Sequence, residues 1–214
     1  MAFFLAFLVL TTIILPAITL SQVGRIALSL IFALTLVLGA FATIRRHFVI
    51  CLVIGLTTAG VTVDLLAELS GRQNLHALDT ALKLACLLIL VCMTLKQTLR
   101  PGPVTIYRVT GGIAGYVLIG FAWSFAYQLL EQQVPGAIHF EAGLPAALTR
   151  QAGHWLYFSF VTLTTVGYGD VQPLHPIARA LAVAEALVGQ LYIAILISSL
   201  VGMALQARSE PRLQ

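Results

Sequence analysis

Charge is what this chain has least of. Only 9% of its 214 residues are Asp, Glu, Lys or Arg, against 59% hydrophobic. With a mean hydropathy of +0.97, that balance excludes a soluble domain and reads as a polytopic membrane protein. Cysteine is scarce too: Cys51, Cys86 and Cys92 fall inside apolar stretches without disulfide-framework or metal-ligand spacing, and are expected to be small buried hydrophobes. No low-complexity tract, no long internal repeat and no catalytic constellation stands out, so neither enzymatic activity nor a cofactor is expected. The pI of about 9.2 comes from basic residues flanking the apolar stretches, so nucleic-acid binding is not expected either.

Six stretches are long and apolar enough to cross a bilayer, roughly 2–20, 25–44, 48–69, 77–98, 105–129 and 177–206. Basic residues suggest the orientation. With the N-terminus inside, the inner side holds Arg45, Arg46, Lys96, Arg100, Arg108, Arg208 and Arg212. The outer side holds Arg25, Arg72, Arg150 and Arg179, and Lys83 lies within a span. Both termini are therefore expected in the cytoplasm, in a multi-pass protein of the cell membrane surrounded by lipid. The first stretch lacks a basic n-region and a convincing small-x-small site, so it is read as a retained helix rather than a cleaved signal peptide.

Between the fifth and sixth stretches, His154 to Thr164 form an apolar, aromatic-rich run of about three helical turns. It is too short to span a bilayer and reads as re-entrant. Its C-terminus, the negative end of the helix dipole, would favour a cation. The chain then reads Thr165-Val166-Gly167-Tyr168-Gly169-Asp170, and Pro173 to Pro176 form a turn. An ordinary strand alternates its carbonyls. Turning successive carbonyls toward one axis requires left-handed as well as right-handed backbone, which Gly167 and Gly169 permit because they lack a Cβ. Irregular backbone at membrane depth survives only when buried in protein or lining an aqueous path.

With Leu163 and Thr164 before it, this string resembles the selectivity filter of the potassium channel superfamily, specifically the bacterial type with six spans and one pore module per chain. The resemblance covers about residues 154–206. Glu185 to Tyr192 also looks like the last helix of small bacterial channels, less specifically. The resemblance implies an all-α membrane protein of six transmembrane helices plus a re-entrant pore helix and filter, in the bacterial inner membrane. Backbone carbonyls of Thr165, Val166, Gly167 and Tyr168 would bind K+, Gly169 would complete the filter, and the Thr165 hydroxyl would add an inner ring of oxygens. One filter per chain cannot surround an ion, so the implied partners are three further copies in a cyclic homotetramer. Residues 1–99 would form a four-helix domain similar to a voltage sensor, 100–108 a linker, 105–206 the pore domain and 207–214 a short cytoplasmic tail. No soluble ligand-binding domain is expected in this chain.

In that arrangement the last helix lines the cavity. Gly189 falls where the family has a hinge glycine, and a mid-helix glycine otherwise costs about 1 kcal/mol relative to alanine. Close helix packing is an equally good reason for it. Helical spacing places Gln190, Ile193, Ile197 and Val201 on one cavity-facing stripe, where Ile197 and Val201 would form a constriction that closes by dewetting. Glu185 is an ionisable residue inside a span and must pair or face water. It supports the filter through hydrogen bonds, pairs with Arg179, or anchors a neighbouring helix. The anchor is the expectation, and Glu185→Gln should then leave potassium-over-sodium preference intact. Many family members carry two tryptophans where this chain has Tyr157 and Phe158. Phe158 has no donor for Asp170, Tyr157 is expected to brace Tyr168, and slow filter closure does not carry over.

Six spans invite a voltage sensor, but the fourth stretch lacks its charges. One charge moved through 100 mV yields only about 2.3 kcal/mol, so a sensor needs several basic residues at every third position. From Lys83 that lattice runs through Cys86, Ile89, Cys92 and Leu95, all uncharged. Lys83 is expected to pair with Asp79, four residues earlier, or with Asp64. Arg100-Pro101-Gly102-Pro103 breaks the chain before the fifth stretch, and 131–153, with Glu131, His139, Glu141 and Arg150, reads as a turret loop. The expectation is a potassium-selective channel, weakly or not voltage-gated, conducting passively. The alternatives are a less selective cation channel, a subunit needing a partner for gating, and a potassium-uptake subunit, which would carry four filter-like loops rather than one.

Overall fold

The structure, a computed structural model, describes residues 8, 22–43, 47–70, 73–100, 105–140 and 152–209. The first expected span lies outside the described residues except for Leu8, as do Arg45, Arg46, Arg72, linker residues 101–104, Glu141, Arg150 and Arg212.

Six helices are described: α1 (Gln22–Thr43), α2 (His47–Ser70), α3 (Gln73–Thr98), α4 (Ile106–Gln133), α5 (Ala152–Leu163) and α6 (Pro176–Ser209). Within them, His47–Ala67, Asn74–Thr98, Ile106–Gln133 and Pro176–Met203 are long and apolar enough to cross a membrane, while Leu30–Phe41 of α1 is a shorter apolar segment. Several β-branched polar residues within the helices return their hydroxyls to the backbone. Thr35, Thr57 and Thr80 donate to the carbonyls of Ile31, Val53 and His76 at 2.7–2.8 Å.

α4 is the hub. It packs against α3, α5 and α6, while α1, α2 and α3 pack on one another. A shared core of Phe32, Leu36, Val53, Leu87, Leu90, Leu118 and Phe121 joins these elements. In lipid, such contacts hold helices together through close packing rather than through removal of surface from water. Lys83 Nζ lies 2.6 Å from Asp79 Oδ2 and 3.8 Å from Asp64 Oδ2, so the one cation of the α3 lattice engages both expected carboxylates. Cys86 is buried beside Thr57, but Cys51 and Cys92 are exposed on the surface of the chain, which corrects the expectation of three buried thiols.

The expected turret is not all loop. Residues Ile138–Phe140 form β1, which pairs antiparallel with β2 (Val171–Pro173) in the register Ile138↔Pro173, His139↔Gln172, Phe140↔Val171. This two-stranded sheet also amends the all-α reading. Glu131 closes the turn ahead of β1, its carboxylate accepting from the backbone N–H of Gly136 at 2.7 Å and of Ile138 at 3.1 Å. Pro176 opens α6 at a position where a missing N–H is tolerated.

Candidate functional site

The site is built at the C-terminal end of α5. Trp155, Leu156, Phe158, Ser159 and Leu163 are buried. The Phe158 and Tyr127 rings pack edge to face with centroids 4.7 Å apart, and those of Trp155 and Phe140 of β1 do so at 5.2 Å. Where α5 ends, its last free carbonyls capture the following chain. Thr165 N–H donates to Thr162 O at 2.9 Å, and Val161 O accepts from both Val166 N–H (3.0 Å) and Gly167 N–H (3.4 Å).

The backbone of the 165–169 string alternates in hand. Thr165, Gly167 and Gly169 have φ of +60°, +59° and +85°, whereas Val166 and Tyr168 have no positive φ. The two glycines take this conformation without Cβ strain. Thr165 does not: a β-branched residue there is a genuine outlier, and sequence reasoning gave no hint of it. Its hydroxyl accepts from Gln190 Nε2 of α6 at 3.2 Å. All five residues of the string are exposed in the single chain.

Two further contacts hold the string at its C-terminal end. Gln172 Nε2 donates to Gly169 O at 2.8 Å. Tyr157 Oη donates to Asp170 Oδ2 at 2.7 Å, and its ring lies parallel to that of Tyr168, 3° apart in plane, with centroids 6.5 Å apart. Asp170 therefore has, in Tyr157, the donor that Phe158 does not supply. The hydrogen bond to Asp170 is the main cause that pushes the Tyr157 phenol up to about 12.

Behind the string, α6 lies against α5. Gly189 is buried, and a Cβ built on it would sit 2.1 Å from the Leu163 carbonyl oxygen. Of the two reasons weighed for this glycine, close packing is the one the geometry supplies. On the same helix Gln190, Ile193, Ile197 and Val201 are all exposed. Glu185 is fully buried, with Tyr127 Oη of α4 at 2.6 Å and Ser159 Oγ of α5 at 2.5 Å. It does not pair with Arg179, whose Nε donates instead to Pro173 O at 3.1 Å. Tyr127 and Ser159 were not singled out from sequence. The available signal was their polarity in apolar helices, since polar groups at membrane depth need partners. Among the described residues no cluster of His, Cys, Asp and Glu could hold a metal ion.

Residues 115–206 match the family described as "Ion channel". The curated proteins include a relative named "Two pore potassium channel c" from Oryza sativa subsp. japonica, 35% identical over 95 residues, which are 42% of this chain and 20% of the relative. The chain thus matches about a fifth of that relative's length. No solved structure matches. The matched region begins within α4 and ends within α6, and so contains the whole alternating string with the helices that hold it. These likenesses point to a non-enzymatic membrane protein in which residues 115–206 are similar to an ion-channel domain.

Proposed function

We propose that this chain is one subunit of a homotetrameric, potassium-selective channel that conducts K+ passively. The observation that carries this reading is the left-handed backbone at Thr165, Gly167 and Gly169, alternating with Val166 and Tyr168 directly beyond the end of a short apolar helix. That alternation is what lets successive carbonyls of Thr165, Val166, Gly167 and Tyr168 face one axis and replace the water around a dehydrated K+. The pore helix α5 directs the negative end of its dipole at the inner mouth, where a cation gains most.

Four copies close the ring. The exposure of Leu187, Leu191 and Ile195 on α6 supports a helix face covered by neighbouring subunits. Gln190, Ile193, Ile197 and Val201 line the inner cavity on this reading. The sequence pattern favours six spans with both termini cytoplasmic, and Lys83, the one basic residue on the every-third-position lattice of α3 and already held by Asp79 and Asp64, supports weak or absent voltage dependence. K+ is the cargo; neither a cofactor nor a resident metal is invoked, and lipid surrounds the assembly.

The test is flux from liposomes holding the purified full-length protein under a K+ or Na+ gradient, with the mass of the purified assembly measured alongside. K+ flux well above Na+ flux from a four-chain particle is the expected result. Equal Na+ flux would refute selectivity, and a monomeric or dimeric particle that conducts would refute the tetramer.

A further inference from the structure

Three short oxygen–oxygen contacts meet around Glu185. Tyr127 Oη on α4 lies 2.6 Å from Glu185 Oε2, and Ser159 Oγ on α5 lies 2.5 Å from Glu185 Oε1. The same Ser159 Oγ lies 2.7 Å from the Gly120 carbonyl oxygen on α4. Two oxygens approach this closely with a proton between them; without one, lone pair meets lone pair. The three contacts therefore require three protons. The Tyr127 phenol supplies one, the Ser159 hydroxyl supplies one, and a backbone carbonyl has none to give. The third proton has one remaining source, the Glu185 carboxyl.

The surroundings agree with the count. Glu185 is fully buried, and an ionised carboxylate without a cation is costly to take out of water. The groups facing it are Tyr127 and, at longer range, Tyr116 from α4, and Ser159 from α5. The described ion pairs are those of Lys83 with Asp64 and Asp79, and Arg179 on Glu185's own helix is turned to Pro173 O. Glu185 thus has no cationic partner among the described residues.

We propose that Glu185 is a neutral carboxylic acid whose proton is donated to Ser159, completing a relay Glu185→Ser159→Gly120 while Tyr127 donates to the other carboxyl oxygen. Glu185 then acts as a positioning residue. Through Ser159 its proton clips the middle of α5 to both α4 and α6, one turn before Leu163, where the helix meets Gly189. An ionised Glu185 would claim the single Ser159 proton and leave Ser159 Oγ and Gly120 O facing each other unprotonated, so α5 would be pushed from α4. The consequence for ion selection rests on the channel reading; the protonation itself does not.

Infrared difference spectra of the reconstituted full-length protein at neutral pH test this directly. Wild type minus Glu185→Gln should show the carbonyl stretch of a protonated carboxylic acid, shifted in D2O; the other carboxyl groups are common to both proteins and cancel. A difference confined to carboxylate stretches would overturn the proposal. Ser159→Ala, compared with wild type, gives an independent reading. Loss of the acceptor should move the acid band to higher frequency, and an acid region unchanged by this substitution would equally overturn it. Glutamine can donate to Ser159 and accept from Tyr127, so Glu185→Gln should melt above Glu185→Ala; the reverse order would count against the relay. None of these readouts needs conduction, so a silent pore would refute the channel reading and leave this one standing.

Discussion

Replacing Gly189 with alanine sets two effects of opposite sign against each other. Alanine is favoured over glycine inside a helix by about 1 kcal/mol. A glycine kept only as a hinge would therefore give a more stable α6 on substitution, with fewer excursions to the open state. The structure gives the opposite sign. The new Cβ would lie 2.1 Å from Leu163 O and 3.1 Å from the Leu163 carbonyl carbon and Cδ1, where real Cβ atoms essentially never come closer than 3.0 Å. α5 and α6 must then separate by about 1 Å at a point with little freedom: Leu163 is fully buried, and its carbonyl also accepts from Tyr116 Oη at 3.3 Å. Overpacking of this kind costs about 1–3 kcal/mol, and a clash with backbone belongs at the upper end. After the gain in helix propensity, a net loss of about 2 kcal/mol remains. Thermal melting of the purified protein should register it as a lower Tm. Leu163 stands two residues before Thr165, so the displacement should also lower the ratio of K+ to Na+ flux in liposomes. A Gly189→Ala protein that melts at or above wild type with unchanged selectivity would refute the packing argument and restore the hinge.

Other substitutions probe other parts of the same framework. Lys83→Met leaves Asp79, already carrying one buried unpartnered oxygen, without its cation; removing one member of a buried pair costs about 3–5 kcal/mol. The partial exposure of Lys83 and Asp64 sets the expected loss at the lower end, read as a drop in Tm, with any weak dependence of current on voltage unchanged. Tyr157→Phe deletes the donor to Asp170 and should weaken K+ selectivity, whereas Phe158→Tyr, placed in the Tyr127 cluster, should not strengthen it. Because the Tyr157 phenol is raised from 10.0 to about 12, its neutral, donating form contributes fully below pH 10 and is lost as pH rises through about 12. Tyrosinate absorbance should show a late-titrating phenol that is missing from Tyr157→Phe, and titration of every phenol by pH 10 would contradict the hydrogen bond. Gln190→Leu removes the donor to the Thr165 hydroxyl at an exposed position, a loss of about 0.5–1.5 kcal/mol, and should appear as reduced selectivity with little change in Tm.

The helices were legible because a bilayer leaves backbone polar groups no partner but one another. Apolar runs at 48–69 and 177–206 became His47–Ser70 and Pro176–Ser209 for that reason. The alternating string was legible because glycine at 167 and 169 announces positive φ. What escaped was geometry between distant segments. Nothing local distinguishes Tyr157 as the donor to Asp170 from Tyr157 as a ring against Tyr168, and the structure has it doing both. The sheet of β1 and β2 is three residues on each side, too short for an alternating pattern to register. Gly189 read equally well as hinge or packing residue because the atom that decides, Leu163 O, belongs to another helix. Glu185 was visible as a buried charge in need of a partner, but the choice of Ser159 and Tyr127 over Arg179 depends on how α4, α5 and α6 cross.

Thr165 shows why the string cannot be understood by itself. A non-glycine residue held in the left-handed region costs of order 1–3 kcal/mol, and it persists only where its surroundings over-determine it. The surroundings here are specific. Thr165 N–H is held by Thr162 O and its hydroxyl by Gln190, while Val166 and Gly167 share the Val161 carbonyl. Beyond the string, Gly169 O is held by Gln172 and Asp170 by Tyr157. At about 0.5–1.5 kcal/mol net for each ordinary hydrogen bond, two or three such contacts offset the strain and one does not. The conformation that would present carbonyls to an ion is thus maintained by α5, by Gln190 on α6 and by Gln172 on β2, and the five-residue string placed in a scaffold without them would relax at Thr165 first.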